Sequence, residues 1–169
     1  MAIRPADHGI FASSADAFVY AEAAYFAGGS AAATVDTVDK FAFSDDSRTT
    51  LGTGLSAATY YLAGAANSGT AAYFGGGHAA AAVATVDKFL FSADSRTTLG
   101  TGLSASTYAL AGAANSGTAA YFAGGRNTAG STVDTVDKFA FSDDSRSTLG
   151  TGLSAATRIL AGAANSGTL

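Results

Sequence analysis

The chain has 169 residues, a formal net charge of −4 and no cysteine, and 48% of its residues are apolar. This composition suits one domain with a buried core, and it argues against nucleic-acid binding, which needs clustered Lys and Arg. No apolar run reaches the roughly 18 residues of a membrane span, and the opening residues lack the apolar core of a secretory signal. We therefore expect a cytoplasmic or virion protein without membrane insertion.

Internal repetition dominates the sequence after residues 1–14, which we assign to an N-terminal extension. Three near-identical units follow at about 15–56, 57–104 and 105–154, and an extra strand is predicted at 157–169. The segment YFAGG at Tyr25 returns as YFGGG at Tyr73 and as YFAGG at Tyr121, a spacing of 48 residues. Such a period is typical of architectures in which each unit packs against the next.

Each unit contains four strand-like segments, and the second unit illustrates their order. Residues 59–66 precede the tight turn 67–70, and residues 71–77 follow it. After a loop come residues 85–91 and 96–100. Aromatic and β-branched residues lie within these segments, whereas Gly, Asn, Asp and Ser lie between them. The pattern predicts an all-β fold in which each unit is a four-stranded sheet, as in a propeller blade.

The order of these elements resembles the kelch family of β-propellers. Its double glycine has a counterpart in the pair that closes each aromatic strand, and VDKFAF with SDDS resembles its third strand and turn. The resemblance implies a kelch-like β-propeller with three four-stranded blades per chain. The glycine pairs are Gly28-Gly29, Gly76-Gly77 and Gly124-Gly125.

The chain departs from the kelch pattern in the fourth strand, where kelch blades usually carry a Trp. Thr49, Thr97 and Ser147 lie near that place, so the group is a divergent one. The repetitive style also resembles repeat proteins in phage genomes.

Charged residues recur in every unit, which favours a structural interpretation over a charged binding ring. A residue that is present in every unit is explained by the structure that all units share. We therefore expect these residues to form ion pairs and hydrogen bonds that orient the sheets. Asp45-Asp46 and Asp143-Asp144 raise a calcium hypothesis, but the EF-hand spacing is absent and Asp is an ordinary turn former. We predict neither a metal nor a cofactor. The recurring residues are Asp39-Lys40, Asp87-Lys88, Asp137-Lys138, Arg48, Arg96 and Arg146.

Catalysis is disfavoured by the residue types present. The two histidines, His8 and His78, do not recur, and nothing indicates a Ser-His-Asp set. We predict that the protein is not an enzyme and has no catalytic residues.

Residues that differ between the units are candidates for binding. They lie in the loop between strands two and three and at the start of strand one. Because strands alternate in direction within each unit, both lie on the same face of the expected propeller. Loops on a rigid scaffold often carry binding, although neutral drift would produce the same variation. The candidate binding residues are Tyr60, Tyr61, His78, Tyr108, Arg126, Asn127 and Arg158.

These observations favour a non-catalytic structural or binding propeller that makes protein–protein contacts. The alternative is a lectin-like module that binds glycans through exposed tyrosines. Propellers hold about four to eight blades and this chain encodes three, so we also expect a homodimer that forms a six-bladed ring. The strand at 157–169 would pair beside residues 23–29 of the partner, and residues 17–21 of the same chain are the rival for that place.

Overall fold

The computed structural model describes residues 22–165, which form an all-β structure without helix. The proposed N-terminal extension, the rival strand at 17–21 and the last four residues of the predicted C-terminal strand lie outside the described residues. Within the described part, no helix is long and apolar enough to cross a membrane.

The strands are short, as expected from the frequent Gly, Ser and Asp residues between the apolar segments. Their bounds are β1 Ala23–Ala27, β2 Val38–Ala42, β3 Arg48–Thr50, β4 Ala63–Asn67, β5 Ala71–Gly75, β6 Val86–Leu90, β7 Ser95–Thr98, β8 Thr107–Tyr108, β9 Ala111–Asn115, β10 Ala119–Ala123, β11 Arg126–Asn127, β12 Val136–Ala140 and β13 Arg146–Thr148.

Three antiparallel sheets correspond to the three sequence units. The first sheet has the order β1-β2-β3, the second β4-β5-β6-β7 and the third β9-β10-β12-β13. A further two-stranded sheet joins β8 to β11. The four predicted segments of the second unit are therefore confirmed as one meander. The first segment is shorter than predicted, because residues 59–62 precede β4 as an irregular lead-in.

The sheets pack face to face, and the two cores lie between them. Phe74 and Phe89 of the second sheet pack with Val38 of the first sheet. Phe122 and Phe139 of the third sheet pack with Tyr73 of the second sheet. Since both faces of the second sheet are covered, β5 is buried along its whole length, as its continuous apolar sequence predicts.

A cluster of polar side chains connects each sheet to the next. Tyr25 donates a hydrogen bond of 2.5 Å to Asp94, and Lys40 binds the same carboxylate at 3.0 Å. Tyr73 and Lys88 of the second sheet hold Asp144 of the third in the same way, at 2.6 Å and 2.8 Å. We call this arrangement the Tyr-Lys-Asp clamp.

A second polar contact between sheets uses the aspartate that precedes each recurring lysine. The backbone amide and hydroxyl of Ser56 both donate to Asp87, and those of Ser104 donate to Asp137. The prediction that the recurring Asp and Lys residues orient the sheets is thus confirmed for these residues.

Candidate binding site

Four of the predicted binding residues come together in one aromatic cluster, consisting of Tyr60, Tyr61, His78 and Tyr108. The ring centroids of Tyr60 and Tyr61 are 4.9 Å apart, and His78 lies 5.2 Å from the rings of both Tyr60 and Tyr108. The rings of Tyr61 and Tyr108 are stacked at 6.3 Å. The cluster draws on three separate segments of the chain, so the backbone must hold these segments together.

Backbone hydrogen bonds position the cluster. Tyr60 and His78 exchange two N–H···O bonds of 3.0 Å and 2.8 Å, and the amide of Ala109 donates to the carbonyl of Tyr61 at 2.8 Å. Gly77 directs the chain into this pairing with a φ of +104°, and a side chain there would overlap Thr59. Only glycine suits this backbone, which explains why the double glycine precedes the variable residue His78.

Tyr61 is the most prominent member of the cluster. It is 58% exposed and has a φ of +55°. An aromatic residue with positive φ is uncommon, and the fold holds this conformation through the Ala109–Tyr61 hydrogen bond. The cluster therefore presents a large ring to solvent from a fixed backbone.

The imidazole of His78 adds a polar group to the rings. Its Nδ1 lies 2.9 Å from the carbonyl oxygen of Ala79. A carbonyl only accepts hydrogen bonds, so in this arrangement Nδ1 carries a proton. In the neutral form Nε2 is then an acceptor, and together with the tyrosine hydroxyls it can pair with hydroxyl or amide donors of a ligand.

Arg126 and Asn127 lie beside the cluster but stabilise their own loop. Their backbone forms β11, which pairs Arg126 with Tyr108. The guanidinium of Arg126 donates to the carbonyl of Gly130 at 2.8 Å, and the Asn127 side chain accepts from the amide of Ser131 at 3.0 Å. The structure thus places both residues next to the site, with these polar groups bonded within the loop.

Arg158 lies at the position that Tyr60 and Tyr108 occupy in the preceding units. It is exposed and precedes Ile159, whose amide donates to Ala109 at 2.7 Å.

An open groove of about 290 Å³ extends the site beyond the residues predicted from sequence. Tyr61, Ala109 and Ile159 line it. They occupy equivalent positions in the segments 59–62, 107–110 and 157–160, which we call lead-ins, and all three have positive φ. Ile159 is 75% exposed. The sequence could also have indicated Ala109 and Ile159 as site residues, because the pairs Tyr60-Tyr61, Tyr108-Ala109 and Arg158-Ile159 differ between the units. The groove thus adds an apolar surface to the aromatic cluster.

No three His, Cys, Asp or Glu side chains within residues 22–165 are close enough to form a metal-binding group. Asp45 and Asp143 instead accept hydrogen bonds from the amides of Ser47 and Ser145, as turn-forming aspartates do. Comparison with known protein families and with curated proteins found no match to the chain.

Proposed function

We propose that the three units are kelch-like propeller blades, and that the protein is a non-catalytic binding or structural component whose partner contacts the aromatic cluster. The assembly of Tyr60, Tyr61, His78 and Tyr108 on a hydrogen-bonded backbone is the observation that carries the proposal. Aromatic rings with polar tips are enriched at protein interfaces because they supply contact area at low entropic cost. The resemblance to phage repeat proteins favours a place in a virion.

A displayed peptide library tests binding of protein segments without a known partner. Peptides are selected on the wild-type chain and then measured against Tyr61→Ala. The equivalent residue Ala109 already has a φ of +56°, so the backbone accepts alanine there. We expect cluster-dependent peptides to lose roughly tenfold or more in affinity, as for the loss of an aromatic anchor.

Phe26→Ala is the control, because it removes an exposed aromatic side chain that belongs neither to the aromatic cluster nor to the groove. Peptides that depend on the four rings should bind this variant nearly as well as the wild type. If every selected peptide binds Tyr61→Ala as tightly as the wild-type chain, the cluster is not a protein-binding site.

Glycan binding is the second candidate function, and the exposed Tyr61 ring favours it. An aromatic face at a protein surface can stack on the apolar face of a sugar, while the His78 imidazole and tyrosine hydroxyls bind its hydroxyl groups. A glycan array separates the two candidates. Reproducible sugar binding at millimolar or lower concentration, lost in Tyr61→Ala, would assign the site to glycans.

A further inference from the structure

The Tyr-Lys-Asp clamp has a third set of donors on the third sheet. Lys138 lies over the ring of Tyr121 with its Nζ 6.0 Å from the centroid. The corresponding distances are 5.5 Å for Lys40 over Tyr25 and 5.4 Å for Lys88, so the donors are already arranged as in the complete clamps. Among residues 22–165, no carboxylate bonds to Tyr121 or Lys138. Both groups lie on the outer face of the third sheet.

The first sheet has a matching acceptor. Asp46 occupies the turn position of Asp94 and Asp144, and the φ angles of the three residues are +55°, +48° and +57°. Asp94 and Asp144 are each held by a tyrosine and a lysine of the preceding sheet, whereas Asp46 is exposed and has no such donors within the described part of the chain. The backbone therefore presents Asp46 as an acceptor.

The serine–aspartate contact also leaves a serine beside the third sheet and an aspartate on the first sheet that make no such contact within the described residues. Ser154 follows the third sheet at the position of Ser56 and Ser104, and it has no aspartate acceptor in the described segment. Asp39 of the first sheet corresponds to Asp137, but its side chain is 29% exposed compared with 6%. The third sheet thus offers donors at two places where the first sheet offers acceptors.

Apolar side chains of the first sheet are exposed where their counterparts are buried. Phe26 is 61% exposed, whereas Phe74 and Phe122 are 8% and 2% exposed. Phe43 is 55% exposed, whereas its counterpart Phe91 stacks on Tyr25 at 4.8 Å. Two large exposed phenyl rings on one sheet are typical of an interaction surface.

We propose that the outer face of the third sheet binds the outer face of the first sheet in a second copy of the chain, head to tail. Tyr121 and Lys138 bind Asp46 of that copy, and Phe43 of that copy packs on Tyr121. We call the two surfaces the donor face and the acceptor face. The internal contacts between neighbouring sheets provide the template, since the intermolecular contact repeats them with the same residue types.

Charge determines which faces pair. Two acceptor faces would place carboxylates against each other, and two donor faces would bring lysines together, so unlike faces are favoured. A contact between unlike surfaces forms a ring when the rotation closes. Two copies contribute six sheets, which lies within the range of known propellers. This inference involves a surface separate from the aromatic cluster, so each can fail without the other.

Cross-linking tests the pairing directly, because the chain contains no cysteine. Phe43→Cys and Tyr121→Cys are prepared as separate proteins, mixed and treated with a short bismaleimide. We expect cross-links between the two proteins and none between like copies. Tyr25→Cys with Phe91→Cys in one chain is the positive control, since those half-buried rings are 4.8 Å apart and are the internal equivalents of Tyr121 and Phe43.

Asp46→Asn tests the clamp itself, and Asp94→Asn is its matched control. Asparagine tolerates the positive φ of both turns, so the backbone is retained. We expect Asp46→Asn to weaken self-association by roughly tenfold or more, as for loss of a hydrogen-bonded charge. Asp94→Asn should lower the melting temperature but leave association unchanged, because Asp94 pairs within the chain.

Mixing provides a rescue that a folding defect would not show. Lys138→Glu retains an intact Asp46, and Asp46→Asn retains an intact Lys138, so the mixture contains one native pair of faces. We expect the mixture to form heterodimers in sedimentation velocity at concentrations where each variant alone is mainly monomeric. A wild-type chain that sediments as a monomer at high concentration would overturn the proposal, and so would cross-links between two copies of the Phe43→Cys variant.

Discussion

Gly112 lies where β9 of the third sheet closely approaches β4 of the second sheet. A Cβ atom at this position would overlap the carbonyl oxygen of Gly64 in the neighbouring sheet. Because backbone on both sides leaves little room to relax, we expect Gly112→Ala to lower the free energy of unfolding by about 1–3 kcal/mol. Chemical denaturation of the purified variant measures this change.

Gly100→Ala is the control for Gly112→Ala. A Cβ atom at Gly100 meets nothing within 4 Å, and its φ lies outside the left-handed region. The substitution should be neutral or stabilise the fold by about 0.4–1 kcal/mol, since alanine restricts the unfolded chain. Equal destabilisation by both substitutions would show that the close approach of the sheets is not what requires Gly112.

The clamp at Tyr73 makes stability depend on alkaline pH. Burial, together with the hydrogen bond to Asp144, raises the pKa of Tyr73 to about 12, compared with about 10 in an unfolded chain. The folded protein therefore holds this proton more tightly, so the free energy of unfolding should fall as pH rises from about 10 to about 12. Burial lowers the pKa of Lys88, but hydrogen bonds to Asp144 and Tyr73 outweigh it, so the pKa is raised and Lys88 adds to the fall.

Tyr73→Phe separates these contributions. The variant should lose about 1.5–3 kcal/mol at neutral pH, because the hydrogen bond to Asp144 is gone. It should also show a smaller decline in stability above pH 10, since the contribution of Tyr73 is removed while those of Lys88, Tyr25 and Lys40 remain. Tyr108→Phe is the control, as its hydroxyl bonds to no carboxylate within residues 22–165 and it belongs to no clamp. An unchanged alkaline decline in Tyr73→Phe would contradict the assignment.

At the scale of elements, the variable loops have common anchors. The amide of Val35 donates to Gly29 at 3.1 Å, and that of Val133 donates to Gly125 at 3.0 Å. The loop at 126–135 can therefore be replaced by residues 30–37, with a change in the free energy of unfolding within about 0.5 kcal/mol. If the protein binds its partner through the face that carries these variable loops, the exchange should alter its affinity for selected peptides or glycans. Equal affinity before and after the exchange would indicate drift.

Strand identity was predictable because each unit repeats the same apolar segments and turn residues. The turn at 67–70 formed as predicted, and Thr70 donates to Asn67 at 3.0 Å. The start of β4 was not predictable, because Tyr60 and Tyr61 favour a strand locally. Their backbone instead pairs with His78 and Ala109 outside the main sheet, a contact determined by the packing of sheets.

Which residues form the candidate site was predictable from their variation between the units, but their arrangement in space was not. Sequence comparison of the units selected Tyr60, Tyr61, His78 and Tyr108, which the structure brings together. It also selected Arg126, whose guanidinium bonds to its own loop. Arg126 differs from the cluster residues because the loop of the third unit, which is longer than the other two, folds back on itself. Comparison of the repeats does not predict this, since the other two units have no loop of that length.

At the scale of the whole molecule, the edge of the first sheet bears on the proposed assembly. Strands β5 and β10 each pair on both sides, whereas β1 pairs only with β2 among the described residues. Residues 161–165 extend beside the third sheet, and a Cβ atom on Gly162 would overlap the carbonyl of Gly112, as one on Gly112 would overlap Gly64. The strand predicted at 157–169 does not form within residues 157–165, but this segment is positioned beside the third sheet where the first strand of a following sheet would lie.

Two segments compete to pair with β1, and truncation distinguishes them. If residues 161–165 of one copy pair with β1 of another, deleting 161–169 should abolish the dimer and increase binding of an apolar dye. Truncation at this point keeps Thr157, which accepts from Gly125 at 2.7 Å and donates to Val133 at 3.2 Å, so the third sheet retains its anchors. Deleting only 166–169 is the control and should leave association unchanged. A chain lacking 161–169 that remains a stable dimer in light scattering would refute the strand exchange in favour of residues 17–21. The donor and acceptor faces would then hold the ring together alone, because their clamp residues lie outside both competing segments.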